Sequence, residues 1–487
     1  MKLFYPRRRN RIFFRAVFSI LLIVGFSESV GAQPAAHSEK AVFSAIPSET
    51  SPLFLPLEAI PPASEDVPGN QATHSYSLEA CLEMALENNL EIQAQKKTLI
   101  SAFHKVNEQF SQVKPQVGFQ NVYTVQGKVP GFGEAKLGDK ELDIAQVTFK
   151  QPLYSFGRLE SGVQMVREQY KAEEATFEKT RMDIIHDVSR GFLHVLKAKN
   201  RVSIAQETIQ VLHQHLKLVE NLFQAGVVLN TDVSTTKVKV LEAQQRLIEE
   251  RNALDIAQIS LCNFLQIPEP LQVCFQDIPP MPLNASTSFD NHEQQPEMRQ
   301  LQHLIKAGEK WYFIEKRGNL PVIGFQGAYS TGNQFMEDFK NWNANLVFDL
   351  PIFDSGSSRA RKAQAKANLE KMKLSRDSAR QKFSLAIQQS ARNVQEMQEK
   401  FVLARQIEET ARENFTNLLN QFKEGAVINT DVLSGQLAVT NARLGVTNAY
   451  YDYVSFLADH FRSQGDMTGF LSLVKSARLA AIALKEK

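Results

Sequence analysis

Apolar residues in this chain follow two rhythms. Over most of its length they recur at alternating steps of three and four, as in an amphipathic helix or a heptad seam. In four short stretches they alternate with polar residues, as in a strand with one apolar face. The first such stretch, 116–125, sets Val117, Phe119, Tyr123 and Val125 against Gln116, Gly118, Gln120 and Thr124. A loop with Gly127, Gly131, Gly133 and Gly138 follows, and then Ala145, Val147 and Phe149 alternate with Gln146, Thr148 and Lys150. This pattern predicts two strands of about ten residues joined by a long loop and closed by Pro152 and Gly157. Upstream, a helical region capped by Ser77 runs to about Val113, with a break at Asn88-Asn89, and ends before Pro115. Downstream, Arg158 to Phe223 contains no Pro, and Gly only at 162 and 191. A single helix of that length spans about 100 Å at 1.5 Å per residue, which makes a rod and not a globular core.

The rod ends in a turn, Phe223-Gln-Ala-Gly226-Val-Val-Leu-Asn230-Thr231-Asp232-Val233. Gly226 suits the left-handed position that stops a helix. Asn230 is the expected cap of the next helix, with Asp232 in its positive first turn. A heptad seam follows through Val233, Thr236, Val240, Ala243, Leu247, Glu250, Leu254, Ala257, Leu261 and Phe264, in which Thr236 and Glu250 are weak positions.

The whole plan then repeats. Pro321-Val-Ile-Gly-Phe-Gln326 corresponds to Pro115-Gln-Val-Gly-Phe-Gln120, and Phe348, Pro351 and Gly356 to Phe149, Pro152 and Gly157. Phe422-Lys-Glu-Gly425-Ala-Val427-Ile-Asn429-Thr-Asp431-Val432 is the first turn again, each residue carrying the earlier number plus 199. The second seam (Val432, Gly435, Val439, Ala442, Val446, Ala449, Tyr453, Phe456) keeps that offset. The expected organisation is a first repeat at 76–267 with a β-hairpin at 116–151, and a second at 296–470 with a β-hairpin at 322–350. A Pro-rich linker, 268–295, separates them, and a tail, 471–487, follows. Each turn is the tip of a helical hairpin, at the far end of its rod from the strands.

The strand faces agree between copies. Trp342, Ala344, Leu346 and Phe348 form an apolar row like Ala145, Val147 and Phe149, while Asn343, Asn345 and Asp349 lie opposite. Strands of this length and polarity fit a membrane β-barrel or, on periodicity alone, a small soluble sheet packed on the helices. In lipid, four strands cannot close, because about eight is the practical minimum and an open edge leaves backbone groups unpaired. Several chains would then share one barrel, and the polar inner row favours three or more.

Composition narrows the setting. Residues 1–32 hold a basic start, the apolar stretch Ala16–Phe26 and a small-residue site at Val30-Gly-Ala32, and are expected to be a cleaved signal peptide; the alternative is an uncleaved anchor. Six of the 55 basic residues and one of the 53 acidic residues lie there, so the remainder carries a net charge of −3 and gives no support for nucleic-acid binding. Residues 33–75, with seven prolines, form a linker. Three cysteines are too few for a disulfide framework; Cys262 and Cys274 either pair in an oxidising compartment or serve as small buried apolar residues. No phosphate loop, nucleophile motif, metal-ligand cluster or cofactor signature appears. His213 and His215 are two apart and do not share a helix face, and His186 and His194 read as solvated or seam residues.

The duplicated order of helix, β-hairpin, very long helix, Phe-x-x-Gly-x-x-x-x-Thr-Asp-Val turn and heptad helix resembles the TolC-type outer-membrane efflux protein family, as does the segment Gln151-Pro-Leu-Tyr-Ser-Phe-Gly157. The resemblance covers about residues 76–470. It implies a mainly α fold with membrane β: a homotrimer whose twelve strands, four per chain, form one outer-membrane barrel continued by a coiled-coil periplasmic tunnel. It further implies a non-enzymatic exit duct without cofactor or metal. A periplasmic adaptor (membrane fusion) protein and an inner-membrane pump of the RND or ABC type would feed it, for efflux or type I secretion. In that family the helical tips close like an iris. On the resemblance, Thr231, Asp232 and Phe422 occupy closing positions, and Asp431 gives a ring of three carboxylates that would attract cations. Helix capping alone also accounts for these residue types. Two positions depart from the family: an acidic ring position is Ser434 here, and a basic tie is Val427, so fewer ionic contacts are expected to hold the gate. The competing reading is a periplasmic coiled-coil structural or adaptor protein whose strands form a soluble sheet.

Overall fold

The computed structural model describes residues 75–125, 131–132, 135–136, 141–267, 274–275, 295–334 and 337–485. The expected signal peptide, nearly all of the N-terminal linker and the body of the Pro-rich linker lie outside the described residues. A short strand β1 (Ser75–Tyr76) leads into α1 (Leu78–Asn88), whose N-terminus is capped by Ser77, its Oγ accepting from Ala80 N at 3.2 Å. The expected break follows: Asn89 Oδ1 accepts from Glu91 N at 2.9 Å and Ile92 N at 3.3 Å, starting α2 (Leu90–Ser111). Next come β2 (Gln116–Val125), the two-residue strands β3 (Gly131–Phe132) and β4 (Ala135–Lys136), and β5 (Glu141–Tyr154). The rods α3 (Arg158–Gln224) and α6 (Ser357–Lys423) have 67 residues each, and the returning helices α4 (Asn230–Leu265) and α7 (Asn429–Gln464) have 36 each. Between the copies lie β6 (Cys274–Phe275), α5 (Pro296–Lys316), β7 (Val322–Gln334) and β8 (Glu337–Asp349). The last described element is α8 (Met467–Lys485), a helix that crosses the boundary expected between the second repeat and its tail.

One strand differs from expectation. Pro152 does not close the first hairpin: β5 runs on to Tyr154, with a register shift between Pro152 and Tyr154. Proline is tolerated in a strand where the ladder is already irregular.

The four long strands form one antiparallel sheet in the order β2-β5-β7-β8, so the two repeats join through β5 and β7, and among the described residues both outer edges are open. The register puts Phe119 opposite Val147, Val147 opposite Tyr329, and Tyr329 opposite Trp342, one continuous apolar face across all four strands. Among the described residues nothing covers that face: Phe119 is 72%, Trp342 74% and Leu346 71% exposed.

The main core lies at mid-length of α3. Val188, Phe192, Leu193 and Leu196 pack against Cys81 and Leu82 of α1, Leu261 and Leu265 of α4, Tyr453 and Leu457 of α7, and Phe470 of α8. Polar ties flank it. Arg462 of α7 reaches Asp183 of α3 at 2.5 Å and Glu297 of α5 at 3.0 Å, and Lys197 of α3 reaches Asp452 of α7 at 2.9 Å. Cys81 and Cys262 are both buried and unpaired, and burial pushes the Cys81 thiol up to about 12. Cys262 thus takes the small-apolar role; the side chain of Cys274 lies outside the described residues. Among the described residues no helix is long and apolar enough to cross a membrane.

Candidate functional site

Each tip is built from its own sequence in the same way. Gly226 and Gly425 take the left-handed conformation, with φ of 73° and 76°. Each lets the next residue close the helix end, through Val227 N to Leu222 O and Ala426 N to Gln421 O, both 2.9 Å. Leu229 and Ile428, not Asn230 and Asn429, are the residues preceding the new helices. The carboxylates one turn in reach back to them: Asp232 Oδ2 accepts from Leu229 N at 3.2 Å, and Asp431 Oδ2 from Ile428 N at 3.4 Å. The expectation that the asparagines cap is therefore corrected. They are the first helical residues, and the aspartates supply the capping bond.

The two tips then diverge. Asn230 is exposed, whereas its counterpart Asn429 is 2% exposed and lies between the tips. Asn429 Nδ2 donates to Asp232 O at 3.1 Å and to Thr236 Oγ1 at 3.0 Å, while its Oδ1 meets His215 Nε2 at 2.8 Å. A main-chain oxygen only accepts, so the amide orientation is set by Asp232 and the histidine must donate through Nε2. The His215 ring lies 5.5 Å from that of Phe422, and Phe422 packs with Val219, Val233 and Val432 in a small apolar cluster.

Of the four residues singled out in the sequence, Phe422 is buried in this junction, Asp232 takes part through its main chain and its capping carboxylate, and Thr231 and Asp431 are exposed. Asn429, His215 and Thr236 were missed as a group. A signal was present for His215, which stands between Leu212 and Val219 at steps of three and four, on the seam side of α3. Among the described residues there is no cluster of His, Cys, Asp or Glu that would hold a metal ion.

The duplicated hairpins, the four-stranded sheet and the paired tips match a known group of proteins. The family described as Outer membrane efflux protein matches residues 81–265 and 290–458. The chain belongs to the outer membrane efflux protein family. Relatives in this family include the cation efflux system protein CusC of Escherichia coli, 22% identical over 61% of this chain and 67% of that protein. The outer membrane protein TolC of the same organism is 20% identical over 78% and 80%, and the alkaline protease secretion protein AprF of Pseudomonas aeruginosa is 21% identical over 65% and 69%. Two solved structures share the fold. CusC has a TM-score of 0.72 over 80% of this chain and 92% of its own, at 16% identity. VceC of Vibrio cholerae has a TM-score of 0.69 over 80% and 96%, at 14% identity. Membership in this family sets the soluble structural or adaptor reading aside: the protein is an outer-membrane channel of the efflux type, with its helical part in the periplasm.

Proposed function

We propose that this protein is one third of a passive exit duct, in which three chains share a twelve-stranded outer-membrane barrel and a helical tunnel that ends in the paired tips. The observation that carries the reading is the sheet. Among the described residues it has four strands, two open edges and a continuous apolar face left bare at Phe119, Trp342 and Leu346. In lipid such a sheet is stable only when its edges are paired with those of other copies. The helices support the same assembly. Val238, Leu241, Ile248, Ile256 and Ile259 leave a second apolar face of α4 exposed, beyond the seam that meets α3.

The duct takes its substrate from an inner-membrane pump of the RND or ABC type, through a periplasmic adaptor. Thr231, Asp232, Phe422 and Asp431 belong to the aperture at the tunnel end, with the three copies of Asp431 as its charged ring. Two of the relatives are named for different cargoes, cation efflux and alkaline protease secretion, which suits a conduit whose pump does the selecting. The duct reading is tested by membrane fractionation and heat-dependent gel mobility of the full chain. A heat-dissociable species of three chains in the outer membrane is expected, and a soluble monomer would contradict it.

A further inference from the structure

The junction between the tips holds one titratable group at its centre, and that group is only half satisfied. His215 is 5% exposed. Its Nε2–H is spent on Asn429, while Nδ1 is buried with no hydrogen-bond partner. In the neutral tautomer Nδ1 is a bare lone pair with no hydrogen-bond partner, an inexpensive thing to bury. In the protonated ring it becomes a charged donor with nothing to accept its proton, which costs far more.

The charges on the surrounding elements give no relief. On α3, Lys217 is exposed and Glu220 is paired with Lys237 of α4 at 3.5 Å. Asp232 of α4 and Asp431 of α7 turn their carboxylates to the backbone of their own turns, and Lys423 and Glu424, where α6 ends, are exposed. What acts on the basicity of His215 is burial, which lowers it, opposed by the hydrogen bond to Asn429.

The repeat makes the arrangement one-sided. The residue 199 positions after His215 is Asn414, which is exposed, and the equivalent of Asn429 is the exposed Asn230. The His215–Asn429 link is therefore not repeated at Asn414 and Asn230, and on the α4 side Asn429 is held by Thr236 Oγ1 and Asp232 O, which are themselves joined at 2.8 Å.

We propose that His215 is the positioning residue that latches the second hairpin tip to the first, and that protonation of its free Nδ1 releases the latch. The latched state holds histidine neutral and the released state exposes it to water, so the released state binds more protons. The latch is at full strength above the ordinary histidine value of 6.5 and weakens as pH falls below it, by up to about tenfold per pH unit. As a device for the aperture, the latch rests on the duct reading above; as a contact between two hairpins, it does not.

The test is hydrogen exchange of the full-length, detergent-solubilised protein, following segments 222–236 and 422–436 at about pH 7.5 and about pH 5.5, corrected for intrinsic exchange chemistry. Wild type should lose protection in both segments at the lower pH. His215→Gln keeps an N–H donor toward Asn429 but cannot titrate, so it should stay protected at both values; Asn429→Ala should exchange fast at both. A flat wild-type profile, or an acid response in His215→Gln equal to that of wild type, would overturn the proposal. Conductance of the same proteins in planar bilayers separates the two readings. A rise in conductance on acidification that His215→Gln lacks supports the latch as part of a gate. Acid release seen by exchange, with conductance unchanged, leaves the latch standing and removes the gate.

Discussion

The side-chain amide of Asn429 donates to the main-chain oxygen of Asp232 at 3.1 Å, binding the first turn of one hairpin to the first turn of the other. The two residues stand at nearly equivalent places in two copies of the same motif, yet only one asparagine of the pair is used. Asn429 is enclosed by α3 and α4, while Asn230 is exposed.

That asymmetry gives a direct comparison. Asn429→Ala leaves the buried His215 Nε2–H without its acceptor and removes one of the two side-chain donors to the Asp232 carbonyl, the other being Thr236 Oγ1, and should cost about 1–3 kcal/mol locally. Asn230→Ala, at an exposed site, should change local stability by no more than about 0.5 kcal/mol. Hydrogen exchange of the tip amides at neutral pH reads both values; equal costs would mean that the junction is not a specific contact.

The two faces of the sheet make opposite predictions for neighbouring residues. Leu346 is 71% exposed on the apolar face, opposite Phe325, whereas Asn345 is on the polar face opposite Gln326. Leu346→Arg should impair barrel assembly, since arginine facing lipid near mid-membrane costs about 2–4 kcal/mol. Asn345→Arg should assemble normally. The yield of heat-resistant oligomer decides, and equal yields would reverse the assignment of faces.

Asp431 carries the charge of the aperture in the proposed assembly. Asp431→Ala should weaken block by divalent cations in planar-bilayer recordings, because three converging carboxylates are replaced by methyl groups. It should also remove the hydrogen bond to Ile428 N, a capping loss of about 1 kcal/mol that by itself leaves ion block unaltered. Cation block identical to wild type would assign Asp431 to capping alone.

A second histidine should respond to pH in the opposite sense to His215. His186 on α3 lies 2.7 Å from Asp459 of α7 and 3.0 Å from Asp187. Burial lowers its basicity, but the hydrogen bonds and charges of the two carboxylates outweigh that and raise it above 6.5. Its contribution is fully present below 6.5 and is lost as pH rises through the raised value. The α3–α7 contact near Asp459 should therefore loosen toward alkaline pH, while the tips loosen toward acid. A titration following histidine ring resonances would show His186 deprotonating later than an exposed histidine and His215 earlier.

The local features of this protein were legible in its sequence because each has a short-range cause. The alternation at 116–125 and 145–149 becomes β2 and β5, and the apolar face it implied is continuous through Tyr329 and Trp342. The Pro-free run becomes α3, and Gly226 and Gly425 take up the left-handed turn that the motif required. Other outcomes depended on what lies alongside. Pro152 reads as a strand terminator until β7 is placed next to it and an irregular ladder absorbs it. Asn230 and Asn429 read as identical caps, because sequence records the motif but not the neighbour, and only the approach of α3 brings His215 to one of them.

The sequence by itself determined the period of every long element, the duplication and the polarity of the strands, since these follow from the order of apolar and polar side chains along one backbone. The tertiary structure decided which of two equal turns is buried, which histidine is left with an unpartnered nitrogen and which sheet edges stay open. Those properties belong to contacts between residues some two hundred positions apart, where packing and desolvation outweigh local preference.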